Sequence, residues 1–293
     1  MTRWPGGGVR GALLGLASLC SIVATSYASE AGGGAPPIGS MQSDHVNSAC
    51  EAPVAPRSRI VATAIDGETL RLEDGDEVRL VGALAPRSPT PDAETAWPID
   101  KAARDSLAAL TSGRAVKLAY PGHQRDRYGR HLAQVFVTPE GGGAAIWVQR
   151  AMIEAGHARA YGIPGNFACV EGLVAAEGIA REAKTGLWAI EAFRPREARR
   201  AGELVALRST FQLVEGNVVR ARRSGASIYL DYGRNWRSDF SVAVLPPTAR
   251  ENPAWAASLL GLEGRRTRVR GWITLRNGPM IEIEHPSQLE LLD

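Results

Sequence analysis

Arginines and carboxylates recur in three turn-like stretches, and together they could handle a phosphate. "AIDGETLRL" (64–72) carries Asp66 and Glu68 around a glycine, and "RLVGALAPR" (79–87) begins and ends on arginine. "DRYGR" (126–130) sets Arg127, Tyr128 and Arg130 in a polar turn. Guanidinium forks match the oxygens of a phosphate. Attack on a phosphodiester needs that neutralisation together with a positioned water and a proton acceptor. Asp66 and Glu68 could serve a divalent cation, but calcium prefers several hard oxygen ligands.

These residues need a frame that brings the turns together. "IVATAI", "TLRL" and "EVRLVGA" read as strands separated by "DGE" and "EDGD" turns. "PIDKAARDSLAALTSG" has helical spacing, with Asp100 near its start and Gly113 at its end. "AVKLAY" and "HLAQVFV" are two more strands. A helix over "AAIWVQRAMIEAG" follows, then a second from about 167 to 184 that closes at Gly186, with Leu187 and Trp188 folding back. The expected architecture is mainly β with α, a five-stranded OB-type barrel with packed helices.

The same stretches resemble the thermonuclease, or staphylococcal-nuclease-like, family over 58–190. "AIDGETLRL" is similar to the family's I-D-G-D-T turn, and "VRLVGALAPR" to V-R-L-x-G-I-D-[AT]-P-E. "DRYGRHLAQVFV" resembles D-x-Y-G-R-x-L-A, and "REAKTGLWA" the closing helix before G-L-W. The resemblance implies calcium-dependent phosphodiester hydrolysis, with a metal held by aspartates, a glutamate as general base and two arginines on the phosphate. Carried across, Arg79 and Arg130 match the arginines, and Asp66 the turn's leading aspartate. Glu68 stands at a metal position, Leu84 at the second metal aspartate, and Arg87 at the general base. Arg127 and Tyr128 fall where substrate contacts are expected.

A general base contributes about 10²–10⁴-fold, so its exchange for a cation removes much of the activity. The expectation is a degenerate nuclease serving as an anion- or nucleic-acid-binding module, or as a protein-interaction module. No cofactor is expected, and calcium enters only if a residual site works. The alternative is a calcium-dependent phosphodiesterase with a rearranged acid set, Glu68 joined by Asp92 or Glu94. Structural pairing of Arg79 and Arg130 with Asp66, Glu68 or Asp126 stays open beside anion binding.

The chain has 293 residues, is 22% charged and carries a formal net charge of +3, which permits an anionic partner without demanding one. Arg3 and Arg10 precede the apolar run "GALLGLASLCSIVAT" and "SYA", an export signal over 1–28 with no membrane span left after cleavage. The expected location is periplasmic or secreted. Residues 29–57, with "AGGGAPPIGS", read as a flexible lead-in. Cleavage leaves Cys50 and Cys169, an even pair in an oxidising compartment; a disulfide is expected, with two buried thiols as the other reading.

After a basic helical connector over 191–209, strand patterning returns. The order over 210–293 is again three strands, a helix and two strands, so a second OB-like barrel is expected. "IYLDYGRNWRSDF" interleaves Tyr229, Tyr232, Trp236 and Phe240 with Arg234 and Arg237. The pattern fits single-strand binding, but core packing of the aromatics with arginines in a hairpin loop is the simpler expectation. His45, His123, His131, His157 and His285 show no metal-ligand spacing.

Overall fold

The structure is a computed structural model that describes residues 50, 57–87, 98–139 and 141–292. The expected leader, most of the lead-in, His45, Asp92 and Glu94 lie outside the described residues. Among those described, no helix is long and apolar enough to cross a membrane.

Strands β1 (Arg59–Asp66) and β2 (Thr69–Leu72) form a hairpin. Its turn is locked by Asp66, whose Oδ1 accepts the Glu68 N–H at 2.8 Å, as short acidic side chains do in turns. Gly67 is required by packing, because a Cβ there would lie 2.7 Å from the Cβ atoms of both Ala85 and Ala103. Strand β3 (Glu77–Leu80) follows, then β4 (Gly82–Leu84), which starts on a glycine at φ +93°. Helix α1 (Pro98–Thr111) buries Ala103, Leu107 and Thr111, one residue per turn on a single face.

β5 (Ala115–Ala119) pairs antiparallel with β6 (His131–Val137), and β6 closes the circuit by running parallel to β3 in the register Val78↔His131. The order β3-β2-β1-β5-β6 with that closing pair is an OB-type barrel. Leu70, Leu80, Val116 and Val135 fill it, and none has exposed surface.

The helix expected from 144 begins later. Ile146 and Trp147 form β7 (Ile146–Trp147), pairing with Val137 and Phe136, and α2 (Val148–Glu154) starts after them. β8 (Arg159–Tyr161) pairs with β4, and α3 (Val170–Glu182) lies against α2. Lys184 and Gly186 then take positive φ, which turns Leu187 and Trp188 back into the interior.

The stretch 191–209 is not one solvated helix. It contains β9 (Arg196–Glu197), parallel to the following strand, and a short helix α4 (Ala201–Ala206). The second barrel uses β10 (Phe211–Asn217), β11 (Arg220–Ser224), β12 (Ser227–Asp231) and β13 (Ser241–Val244). Helices α5 (Pro246–Glu251) and α6 (Pro253–Ser258) precede β14 (Arg266–Leu275), β15 (Pro279–Ile283) and β16 (Leu289–Leu292).

The strand connectivity repeats that of the first barrel. β13 runs parallel to β15, β15 pairs with β14, and β14 pairs with β10. "FQLVEGNVVRARR" is divided because consecutive residues change partner. Val218 donates to Arg265 and Val219 donates to Asp231. β10 therefore pairs with β14 and β11 with β12, both halves of one bent strand. The last segment is likewise split, by a capped turn over Pro286–Gln288.

Both barrels belong to one compact unit. Arg270 of β14 reaches Glu177 of α3 at 3.0 Å and Glu290 of β16 at 2.5 Å. Trp272 donates from Nε1 to the Tyr161 hydroxyl at 3.3 Å, and Phe167 stacks on His285 with ring centres 4.6 Å apart. Cys50 and Cys169 form a disulfide across 119 residues, with Cα atoms 5.5 Å apart.

Candidate functional site

The site grows out of the β1–β2 turn. Once Asp66 has locked that turn, the register Thr69↔Arg79 brings Glu68 beside the neighbouring strand's arginine. The Glu68 side chain is 1% exposed and is ion-paired with Arg79. It also accepts the Ala85 N–H at 2.8 Å. Arg87 completes the cluster: its Nη2 lies 2.5 Å from Glu68 Oε1 and 3.1 Å from Asp66 Oδ2, and its Nε donates to Glu68 at 3.0 Å.

Burial first, then the like charges of Arg87 and Arg130, push the Arg79 guanidinium down to about 10. It remains a cation at neutral pH. Arg87 and Arg130 each lie near enough to Arg79 for their charges to act on it.

Arg130 is set by its own turn. Asp126 Oδ1 accepts the N–H groups of Tyr128 and Arg130, while its Oδ2 lies 2.7 Å from Arg130 Nη2. Burial would raise the Asp126 carboxyl, yet the hydrogen bonds from Arg130 and the turn hold it below the usual range. Tyr128 is exposed. Arg127 donates to its hydroxyl at 2.6 Å, and the guanidinium carbons of Arg127 and Arg130 lie 4.7 and 5.4 Å from its ring centre. Arg79 thus pairs with Glu68 and Arg130 with Asp126, while the guanidiniums stay within electrostatic reach of each other.

Leu84 has a packing role. It joins Ala180, Leu187, Trp188, Phe211 and Leu213 in a hydrophobic cluster shared by both barrels. A carboxylate at this position would be placed among these apolar side chains, with Arg159 as its register neighbour on β8.

Beside Arg87 opens a cavity of about 420 Å³, lined by Leu84–Arg87 on one side and by Phe193, Phe211 and Trp272 on another. Arg159 lies along it, stacked on Phe193 and Phe211, and donates to the Phe211 carbonyl at 2.7 Å. Tyr161 meets Phe211 edge to face with ring centres 5.3 Å apart. Sequence reasoning missed Arg159 and Tyr161. "GHARAY" carries no local signal, and their importance comes from the second barrel folding against them.

The Asp66 and Glu68 carboxylates both have arginine partners, and among the described residues no three His, Cys, Asp or Glu side chains gather as a metal site. His131 instead belongs to a network in which Asp76 accepts from Arg59 at 2.8 Å and lies 3.0 Å from His131. Hydrogen bonds from Arg59 and His131 hold the Asp76 carboxyl down to about 2.

Comparison with known proteins agrees with this frame. The model of the family described as staphylococcal nuclease homologue matches residues 77–190. Two proteins named as uncharacterized endonucleases, from Escherichia coli O157:H7 and Escherichia coli, are each 31% identical over 131 residues, covering 44% of this chain and 74% of theirs. The chain belongs to the staphylococcal nuclease homologue family.

Proposed function

We propose that the protein is an exported member of the nuclease family that binds a phosphate-bearing ligand, with nucleic acid foremost, and does not cleave it by the family's calcium-dependent route. The observation carrying this reading is Arg87 bound to both Asp66 and Glu68. The guanidinium occupies the lone pairs that a cation would need, at the position where the family resemblance places the base. Leu84 adds no oxygen. The residues present therefore do not suit calcium.

What remains is an arginine cluster whose guanidiniums are paired with Glu68, Asp66 and Asp126. Arg87 and Arg130 keep exposed edges that can turn toward phosphate oxygens, Arg79 is buried against Glu68, and Tyr128 supplies an exposed ring beside Arg130. Burial sharpens such contacts, because local charges are less screened than in bulk water. The even pair of mature cysteines, joined as a disulfide, supports export to an oxidising compartment.

The test is digestion of plasmid and single-stranded DNA by the purified protein, with calcium and with chelator, alongside a binding measurement in chelator. Binding without cleavage is expected. Robust calcium-dependent, chelator-sensitive cleavage would overturn the reading and favour a rearranged acid set that includes Asp92 or Glu94.

A further inference from the structure

The second barrel has a surface feature that the first barrel's site does not explain. The core expectation for its aromatics holds for only half of them: Tyr232 and Phe240 are buried, whereas Trp236 is 39% exposed. Tyr229 and Trp236 both face arginine. The Arg222 guanidinium carbon lies 4.5 Å from the Tyr229 ring centre and 5.8 Å from that of Trp236, while Arg237 stacks on Trp236 at 4.5 Å.

Two adjoining hollows share Arg220 and Trp236. One, about 430 Å³, is lined by Arg220, Arg222, Tyr229, Trp236 and Arg276 among others. The second, about 420 Å³, continues past Trp236 to Arg234 and Asp231. Among the described residues, neither Arg220 nor Arg276 lies within salt-bridge distance of a carboxylate, although Glu282 is near enough to Arg276 for their charges to interact.

The nearby acids are largely occupied. Asp231 Oδ2 accepts from Arg222 at 2.9 Å, and Glu263 accepts the Ala221 N–H at 3.0 Å. Asp231 Oδ1 is buried without a partner and belongs to a residue lining the second hollow.

We propose that this groove, across β11, β12 and the 232–240 loop, binds single-stranded nucleic acid. Arg220 and Arg276 take backbone phosphates, and Trp236 and Tyr229 stack with bases. Cations alone would fit any polyanion. Aromatic rings interleaved with them favour bases, and stacking on such rings is how OB barrels hold single strands without sequence preference. The inference does not depend on whether the first barrel cleaves.

The experiment measures fluorescence anisotropy of a labelled 20-nucleotide oligothymidylate with the full chain in chelator, repeated in an Arg130→Ala background. Trp236→Ala is expected to weaken binding by about 5- to 150-fold, as loss of one stacked base does. Arg220→Ala with Arg276→Ala should weaken it and reduce the slope of log affinity against log salt by about 1.4, two phosphate contacts at ~0.7 each. Circular dichroism confirms that the variants fold. Equal binding by folded Trp236→Ala and parent would overturn the proposal. So would competition by polyglutamate as effective as by oligonucleotide. Loss of binding in Arg130→Ala but not in Trp236→Ala would overturn it too, while leaving the first-barrel reading intact.

Discussion

Arg270 of the second barrel lies 3.0 Å from Glu177 of the first, and their side chains are 1% and 0% exposed. The two charges face each other in a place water does not reach. Arg181 and Glu290 complete the network, with Arg181 3.0 Å from Glu177 and Arg270 2.5 Å from Glu290. Removing Arg270 leaves Glu177 without its closest cross-barrel cation. Arg270→Ala should cost about 3–5 kcal/mol, measured by urea denaturation with both barrels unfolding together. An uncoupled transition confined to one barrel would show that the seam is not a unit.

The same network makes acid stability predictable. Burial opposes ionisation of Glu290, but Arg270, Arg268 and Arg181 hold its carboxyl below the ordinary value of 4.5. A depressed carboxylate stabilises the fold above its unfolded pKa and loses that contribution as pH falls through the folded value. Stability should therefore decline as pH drops below about 4.5, and Glu290→Gln should flatten that part of the curve. Thermal melts at several pH values test it.

Gly67 lets the turn carrying Asp66 and Glu68 lie against α1. Gly67→Ala places a methyl 2.7 Å from Ala85 and Ala103. Overpacking of this kind costs about 1–3 kcal/mol. Phosphate-ligand affinity should fall as well, because the turn holding Glu68 must move.

Leu84→Asp combined with Arg87→Glu rebuilds the family's acids, but at a structural cost. Leu84 belongs to the inter-barrel cluster, so the double variant should melt below the parent without metal. With Arg87 gone, Asp66 and Glu68 lose one cation and gain two carboxylate neighbours. Added calcium should then raise the melting temperature of the variant but not of the parent. A variant that folds and shows no calcium response would mean that residues 84 and 87 are misassigned to the metal loop.

What the sequence made legible was local. The Asp66–Glu68 turn, the "DRYGR" turn and α1 are specified by residues within a few positions of each other, and each was expected where it occurs. The family motifs and the even cysteine pair located the first barrel and its disulfide. Contacts between distant residues carried no such signal. The Arg87 contact with Glu68, the burial of Leu84 against Phe211 and the Glu177–Arg270 pair each depend on segments meeting only after folding. Strand order was legible in the second barrel, but the partner exchange at Val218 and Val219 was not, because both are valines in an apparently continuous β pattern.

The Cys50–Cys169 link also changes how the molecule would bear load. Tension applied at the two ends of the chain passes from Cys50 directly to Cys169 through the covalent bridge. Residues 51–168, which include every strand of the first barrel, are then shielded from the pull. Force would enter at α3 and act on the seam and the second barrel. Under stretching, the oxidised protein should release a shorter length of chain than the reduced one, with the first barrel's strands kept inside the covalent loop.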